Sequence, residues 1–73
     1  MDRKEKVLRK FGKRLTALRR EKSLSTRELA VAASLEYRQV SQIEAGETNL
    51  LLTTIISLAR GLDIPPDKLF ESL

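Results

Sequence analysis

Hydrophobic residues recur every three or four positions along most of this chain, the spacing that places them on one side of an α-helix. The first series predicts a helix over residues 4–22, with Lys and Arg filling the opposite side. Gly12 lies inside this helix at a cost of about 1 kcal/mol relative to Ala, which indicates close packing there. The hydrophobic positions of the series are Val7, Leu8, Phe11, Leu15 and Leu18.

Two short helices are predicted next. Ser25–Glu28 has the S-x-x-E form of a capping box and predicts a second helix over residues 26–33. A third helix is predicted over residues 36–45, with Val40 and Ile43 on its inner side.

The remaining pattern predicts a fourth helix over residues 51–61 and a short fifth helix that begins at Pro66, where the missing N–H does no harm. Leu69 and Phe70 would be the apolar contacts of the fifth helix. No segment alternates with period two over a useful length. We therefore expect one all-α domain over residues 1–73, with a compact five-helix fold.

The second and third helices, at about residues 25–45, have the pattern of a helix-turn-helix. Small and apolar residues between Leu29 and Ile43 have the spacing required by two helices that cross at about 90–120°. The outward side of the third helix then carries hydrogen-bonding groups that can reach base edges in the major groove of double-stranded DNA. These residues are Glu36, Tyr37, Arg38, Ser41 and Gln42. Thr26 and Arg27 begin the second helix, where free N–H groups favour a phosphate.

Charge is unevenly distributed along the chain. Residues 1–22 contain ten of the fourteen Lys and Arg residues and three of the ten Asp and Glu residues. A basic arm suits a polyanionic partner, and a solvated helix face accounts for the charge equally well. We interpret the basic side of the first helix as solvated, with an effect on DNA through long-range attraction.

The composition also excludes several classes of function. The chain has no Cys and no His, so disulfides, thiolate-zinc sites and the usual general base are absent. We expect no enzyme activity, metal or cofactor. The longest unbroken apolar run, Leu50–Leu52, is too short to span a bilayer, and the charged N-terminus does not resemble a signal peptide. A cytoplasmic protein without membrane contact is expected.

The stretch Phe11–Phe70 resembles the lambda-repressor/Cro-type helix-turn-helix family, often called the Xre family. The matching pieces are FGKRLTALRREKSLSTRELA, VSQIEAGETN and LARGLDIPPDKLF, in the family's order and spacing. The resemblance implies a five-helix regulator that usually binds operator DNA as a dimer. It further implies that Thr48 and Asn49 touch the DNA backbone, and that Arg19 pairs with Glu44.

The chain departs from the family pattern at four positions. Ser34 occupies the turn position that is usually Gly, so we predict a left-handed backbone there. Thr26 replaces a frequent Gln, Glu36 replaces a Ser or Thr, and Leu50 replaces a frequent Pro. These changes affect the details of DNA contact more than the fold.

Leucines near the end of the chain exceed what one small core needs. They predict a homodimer with a two-fold interface near the fifth helix, although core packing or scattered surface leucines would also explain them. The candidates are Leu50, Leu51, Leu69 and Leu73.

The size of the chain fits a small repressor or a restriction-modification controller and leaves no room for a small-molecule effector domain. The alternative is an antitoxin-type interaction module that neutralises a toxin and autoregulates its operon. Only three residues follow Phe70, which argues against a tail that wraps a protein partner.

Overall fold

The computed structural model describes residues 1–71 and 73, which form four α-helices and one 3₁₀ helix and contain no strand. The α-helices are α1 (Arg3–Glu21), α2 (Thr26–Ala32), α3 (Tyr37–Glu44) and α4 (Leu52–Leu62). The all-α class is confirmed, and each α-helix begins and ends within one residue of its predicted bounds.

The predicted fifth helix is a 3₁₀ helix, Pro66–Phe70, so the structure has four α-helices where a five-helix fold was expected. Pro65 and Pro66 have no backbone N–H to donate. The first turn is closed instead by the N–H of Lys68, which donates to the carbonyl of Pro65 three residues earlier. The segment is extended again at Glu71, too soon for an α-helical hydrogen-bond ladder.

Two helix starts are capped by side chains. The Asp2 carboxylate accepts from the N–H of Glu5 at 2.8 Å and begins α1. At α2 the predicted capping box is confirmed, because the Ser25 hydroxyl accepts from the N–H of Glu28 and the Glu28 carboxylate accepts from the N–H of Ser25. The backbone N–H of Ser25, and secondarily its hydroxyl, hold the pKa of the Glu28 carboxyl below its ordinary value.

Each α-helix is followed by a residue with a left-handed backbone: Ser23, Ser34, Gly46 and Asp63. In each turn the next N–H donates to a carbonyl five residues earlier, as Leu35 does to Ala30 at 2.8 Å. The predicted left-handed conformation of Ser34 is confirmed by its φ of 57°. These turns reverse the chain sharply enough to stack four short helices.

The core receives residues from every helix. Leu15, Leu29, Val40, Leu58 and Leu69 are completely buried. The burial of Leu69 contradicts its assignment to a dimer interface, because its side chain already fills the centre of the monomer. Leu50 packs against the rim of the same core, whereas Leu51 is 73% exposed and Leu73 is 43% exposed.

Gly12 lets α1 lie directly against the C-terminal end of α3. A Cβ at this position would lie 2.7 Å from the carbonyl oxygen of Ile43 and would also collide with that of Glu44. The close packing predicted at Gly12 is therefore confirmed.

Arg14 attaches the 3₁₀ helix to α1. Its guanidinium donates to the carbonyl of Lys68 and to the Glu71 carboxylate, both at 2.9 Å. The Phe11 and Phe70 rings meet nearby with their centroids 6.1 Å apart. Within residues 1–71 and 73, no helix is long and apolar enough to cross a membrane.

Candidate nucleic-acid interface

The outer side of α3 is an exposed polar surface of the α2–turn–α3 unit. Val40 and Ile43 are buried against α2, so the opposite side of α3 faces solvent. Of the residues predicted to face DNA, Glu36, Tyr37, Arg38 and Gln42 are exposed and Ser41 is half-buried. The structure thus brings the five predicted side chains of the third helix to one end and one side of α3.

Glu36 precedes the helix instead of forming its first turn. Its backbone is extended, with φ −78° and ψ 146°, and its carboxylate makes no capping hydrogen bond. The exposed carboxylate therefore lies at the entrance to α3, where it can accept from a base amino group and repels a phosphate.

Arg27 and Tyr37 form a contact across the two helices. The guanidinium carbon of Arg27 lies 4.5 Å from the centroid of the Tyr37 ring, within the range of a cation–π interaction. Arg27, the predicted phosphate contact on α2, therefore packs directly on Tyr37, the first residue of α3. No sequence signal indicated this contact, because the two residues belong to different helices ten positions apart.

A partly buried ion pair holds α3 to α1. The Arg19 Nε donates to the Glu44 carboxylate at 2.6 Å, and a terminal guanidinium nitrogen donates to the other oxygen at 3.3 Å. The two side chains are only 12% and 11% exposed. Arg19 also donates to the carbonyl of Leu24 at 2.9 Å, so the pair fixes the end of α1 and its turn against the C-terminal end of α3.

Thr26 belongs to this network. Its hydroxyl donates to the Glu44 carboxylate at 3.2 Å, which links the first residue of α2 to the last residue of α3. The hydroxyl proton of Thr26 is therefore engaged inside the protein. A phosphate near Thr26 could accept a hydrogen bond from its backbone N–H but not from its hydroxyl. The exposed Arg27, next to Thr26, supplies a cation at the start of α2.

The loop between α3 and α4 carries the other two candidates. The Asn49 side-chain oxygen accepts from the N–H of Leu50 at 3.0 Å, and the Thr48 hydroxyl donates to the carbonyl of Asn49 at 3.2 Å. These bonds leave the Asn49 amide NH₂ available to an acceptor such as a phosphate oxygen.

Gln39 was missed by the sequence analysis. It is half-buried in a cleft that Gln42, Thr48 and Asn49 also line, between α3 and the following loop. Gln39 and Gln42 lie three positions apart and therefore on neighbouring turns of one helix side. A helical-wheel count of α3 would have placed Gln39 at the edge of the predicted surface.

The described residues contain no cluster of Asp, Glu, His or Cys side chains placed to hold a metal ion. The residues predicted to face DNA instead combine one carboxylate, two guanidiniums and several amides and hydroxyls. Groups of this kind recognise phosphates and base edges.

Known proteins share this arrangement. A family model described as a helix-turn-helix domain matches residues 10–71. The restriction-modification controller protein C.AhdI from Aeromonas hydrophila is 44% identical, with a TM-score of 0.85 over 86% of this chain and 96% of that one. The restriction-modification controller protein C.Esp1396I is 26% identical, with a TM-score of 0.82 over 89% of this chain and 83% of that one.

The fold also occurs in a longer protein. An HTH_3 family transcriptional regulator from Vibrio cholerae is 24% identical and has a TM-score of 0.87 over 92% of this chain. This chain spans 38% of that protein, so the likeness concerns the fold of one part of it. No curated protein sequence matches the chain significantly.

Proposed function

This chain belongs to the helix-turn-helix family of DNA-binding transcriptional regulators, and we propose that it acts as a restriction-modification controller or a closely similar small repressor. The observation that carries the proposal is the exposed polar side of α3, held rigidly to α1 by the Arg19–Glu44 pair. The identity with C.AhdI over nearly the full length of that controller supports the same conclusion. Such a regulator works in the cytoplasm on double-stranded DNA.

In this proposal the helix-turn-helix unit of residues 25–45 places the N-terminal half of α3 in the major groove. Arg38 is the candidate for a guanine contact, because its planar fork matches the O6 and N7 acceptors. Gln42 has the donor and acceptor needed to read adenine in the same way. Glu36 accepts from a cytosine amino group and disfavours other sites by repulsion.

Residues around α3 anchor the protein to the phosphate backbone. Arg27 supplies the charge, and its contact with the Tyr37 ring orients the guanidinium before DNA binds. Neutral hydrogen bonds come from the Ser41 hydroxyl, the Asn49 amide NH₂ and the backbone N–H groups of Thr26 and Thr48. Such contacts fix the register of the protein on the duplex without reading sequence.

We further propose that the functional form is a homodimer. Leu69 is buried in the core, so the predicted interface is reduced to three residues. These are Leu51 and Leu73, which are exposed, and the half-buried Leu50. A two-fold dimer presents two reading helices to half-sites about one DNA turn, or about 34 Å, apart. The similar structures described above are controllers and regulators, so the antitoxin alternative has no support among them.

The test begins with selection of bound duplexes from a random DNA pool at fixed salt. Arg38→Ala is expected to weaken binding to the selected site by roughly 1–3 kcal/mol and to relax preference at one base pair. Arg27→Gln is expected to weaken selected and random duplexes alike and to flatten the salt dependence. Arg60→Ala, an exposed arginine of α4 outside the proposed surface, is the control.

Two outcomes would contradict the proposal. If Arg38→Ala kept the ratio of specific to random affinity unchanged, Arg38 would not read a base and the assignment of this side of α3 would be wrong. If the wild-type chain enriched no sequence from the pool, sequence-specific regulation itself would be excluded.

A further inference from the structure

The first two turns of α1 lie outside the match to the helix-turn-helix family, which begins at residue 10. They are nevertheless helical from Arg3 onward and capped by Asp2. Every residue before Leu8 is exposed, and the first buried residue of the helix is Phe11. This part of α1 therefore extends beyond the core, and filling the core does not account for it.

Four cations of α1 form one continuous surface, here called the basic ridge: Lys6, Arg9, Lys10 and Lys13. Their spacing of three, four and seven positions places them on one side of the helix, and all four are exposed. The ion pairs found in the described part of the chain involve Arg14, Arg19 and Lys68, and none of the ridge cations.

The basic ridge places like charges next to each other, and Glu5, four positions before Arg9, offsets them only in part. Lys6 with Lys10, and Arg9 with Lys13, are like charges four positions apart, which destabilise a helix by a few tenths of a kcal/mol per pair. An external polyanion would remove this repulsion. The ridge therefore has the charge of a polyanion-binding surface.

The ridge lies beside the loop that carries the proposed phosphate contacts. A Cβ at Gly46 would lie 2.9 Å from both Cα and Cγ of Arg9, so the backbone after α3 touches α1 at the ridge itself. Thr48 and Asn49 follow two and three residues later. Through Arg9, the ridge thus meets the backbone that follows the C-terminal end of the reading helix.

We propose that the basic ridge binds the phosphate backbone of the DNA flanking the base pairs read by α3. This inference rests on the proposed function and extends its interface to α1, where Lys6 and Arg9 precede the family match and Lys10 and Lys13 lie within it. From Lys6 to Lys13 the ridge is about 10 Å long, which corresponds to about three phosphates of one strand. Each phosphate that it neutralises releases counterions, so the contact adds affinity that depends on salt and not on sequence.

The test measures the salt dependence of binding to a duplex of random sequence several helical turns long. The Lys6→Gln/Lys10→Gln variant is expected to flatten the slope of log affinity against log salt by about 1.8, the value for two lost phosphate contacts. The control, Lys22→Gln/Arg60→Gln, removes the same charge from exposed positions outside the ridge and is expected to change the slope by less than half as much. Glutamine keeps the helix propensity close to that of lysine.

A second ridge variant, Lys10→Gln/Lys13→Gln, and ethylation interference on the selected duplex complete the test. Ethylation of flanking phosphates is expected to weaken binding by the wild type more than binding by the ridge variants, which each keep two of the four cations. Equal flattening by ridge and control variants, or no flattening by either ridge variant, would overturn the inference. Either result, with sequence selection still dependent on Arg38, leaves the proposed function standing; absence of DNA binding by the wild type overturns the function itself.

Discussion

Ser34 has a left-handed backbone, with φ 57°, a conformation that residues with a Cβ rarely adopt. Ser34→Gly is expected to raise the free energy of unfolding by up to about 1 kcal/mol, because relief of the steric cost exceeds the entropy gained by the unfolded chain. Urea unfolding measures the change. Ser57→Gly, in the right-handed backbone of α4, is the control and should lower stability by roughly 0.5 kcal/mol. A loss of stability in Ser34→Gly would show that the turn carries no strain.

In the Arg19–Glu44 pair, burial increases the loss of stability that follows the removal of one charge. Glu44→Gln is expected to lower the free energy of unfolding by about 3 kcal/mol, because it leaves the Arg19 guanidinium uncompensated where little water reaches it. The same change at Glu71, which is 49% exposed in its pair with Arg14, should cost no more than about 1 kcal/mol. Equal losses in the two variants would mean that the buried pair is as weak as the exposed one.

At the scale of elements, the contact of α1 with α3 depends on the absence of a side chain at Gly12. Gly12→Ala is expected to lower the free energy of unfolding by about 1–3 kcal/mol, since the new Cβ meets backbone carbonyls of α3 that cannot rotate away. Helix propensity alone predicts the opposite sign. Ala17→Gly, at an exposed position of the same helix, should be destabilising by about 1 kcal/mol and serves as the control. A more stable Gly12→Ala variant would show that α3 can move away from α1.

The start of α2 is expected to depend on pH through Glu28. Hydrogen bonds from Ser25 lower the pKa of the folded carboxyl below 4.5, so its contribution to stability is present above that pH and is lost as pH falls through the lowered value. Glu28→Gln keeps the acceptor oxygen and removes the charge. Urea unfolding should find the variant less stable than the wild type at neutral pH, with the difference shrinking at acid pH. If the stability difference between the wild type and Glu28→Gln did not depend on pH, the charge of Glu28 would not be what stabilises the start of α2.

The helices were predictable because their signals are local. Periodicity defined α1 and α4, the capping box of Ser25 and Glu28 defined the start of α2, and the turn position of Ser34 required a left-handed residue. The apolar contacts of the last helix did not predict that it would be a 3₁₀ helix instead of an α-helix. That outcome depends on the length of the segment, because the chain is extended again at Glu71.

Contacts between elements were harder to predict than the elements. Excess leucines indicate burial but not whether it occurs within or between molecules, and Leu69 proved to be a core residue. The stack of Arg27 on Tyr37 depends on the crossing of α2 and α3 and has no sequence spacing of its own. The Arg19–Glu44 contact came from family resemblance and not from physical inference.

At the scale of the whole molecule, two neighbouring leucines are exposed to water at the start of α4: Leu51, which precedes the helix, is 73% exposed, and Leu52, its first residue, is 71% exposed. Burying one such side chain is worth about 1.5–3 kcal/mol, and a two-fold interface buries it twice. Leu51→Lys is therefore expected to raise the dimer dissociation constant by about 100-fold or more. Sedimentation equilibrium measures this constant directly, and urea unfolding should find the monomer fold unchanged.

Val31→Lys is the matched control, since Val31 is equally exposed but lies on α2, away from the proposed interface. It is expected to leave the dimer constant unchanged. On DNA, Leu51→Lys should weaken binding to a site with two half-sites far more than to a single half-site, because only the former requires two joined reading helices. A wild type that stays monomeric at high micromolar concentration and on DNA would exclude the dimer. If Leu51→Lys left the dimer dissociation constant unchanged, the surface around Leu51 would be excluded as the interface. Leu73 and the 3₁₀ helix would then be the remaining candidates.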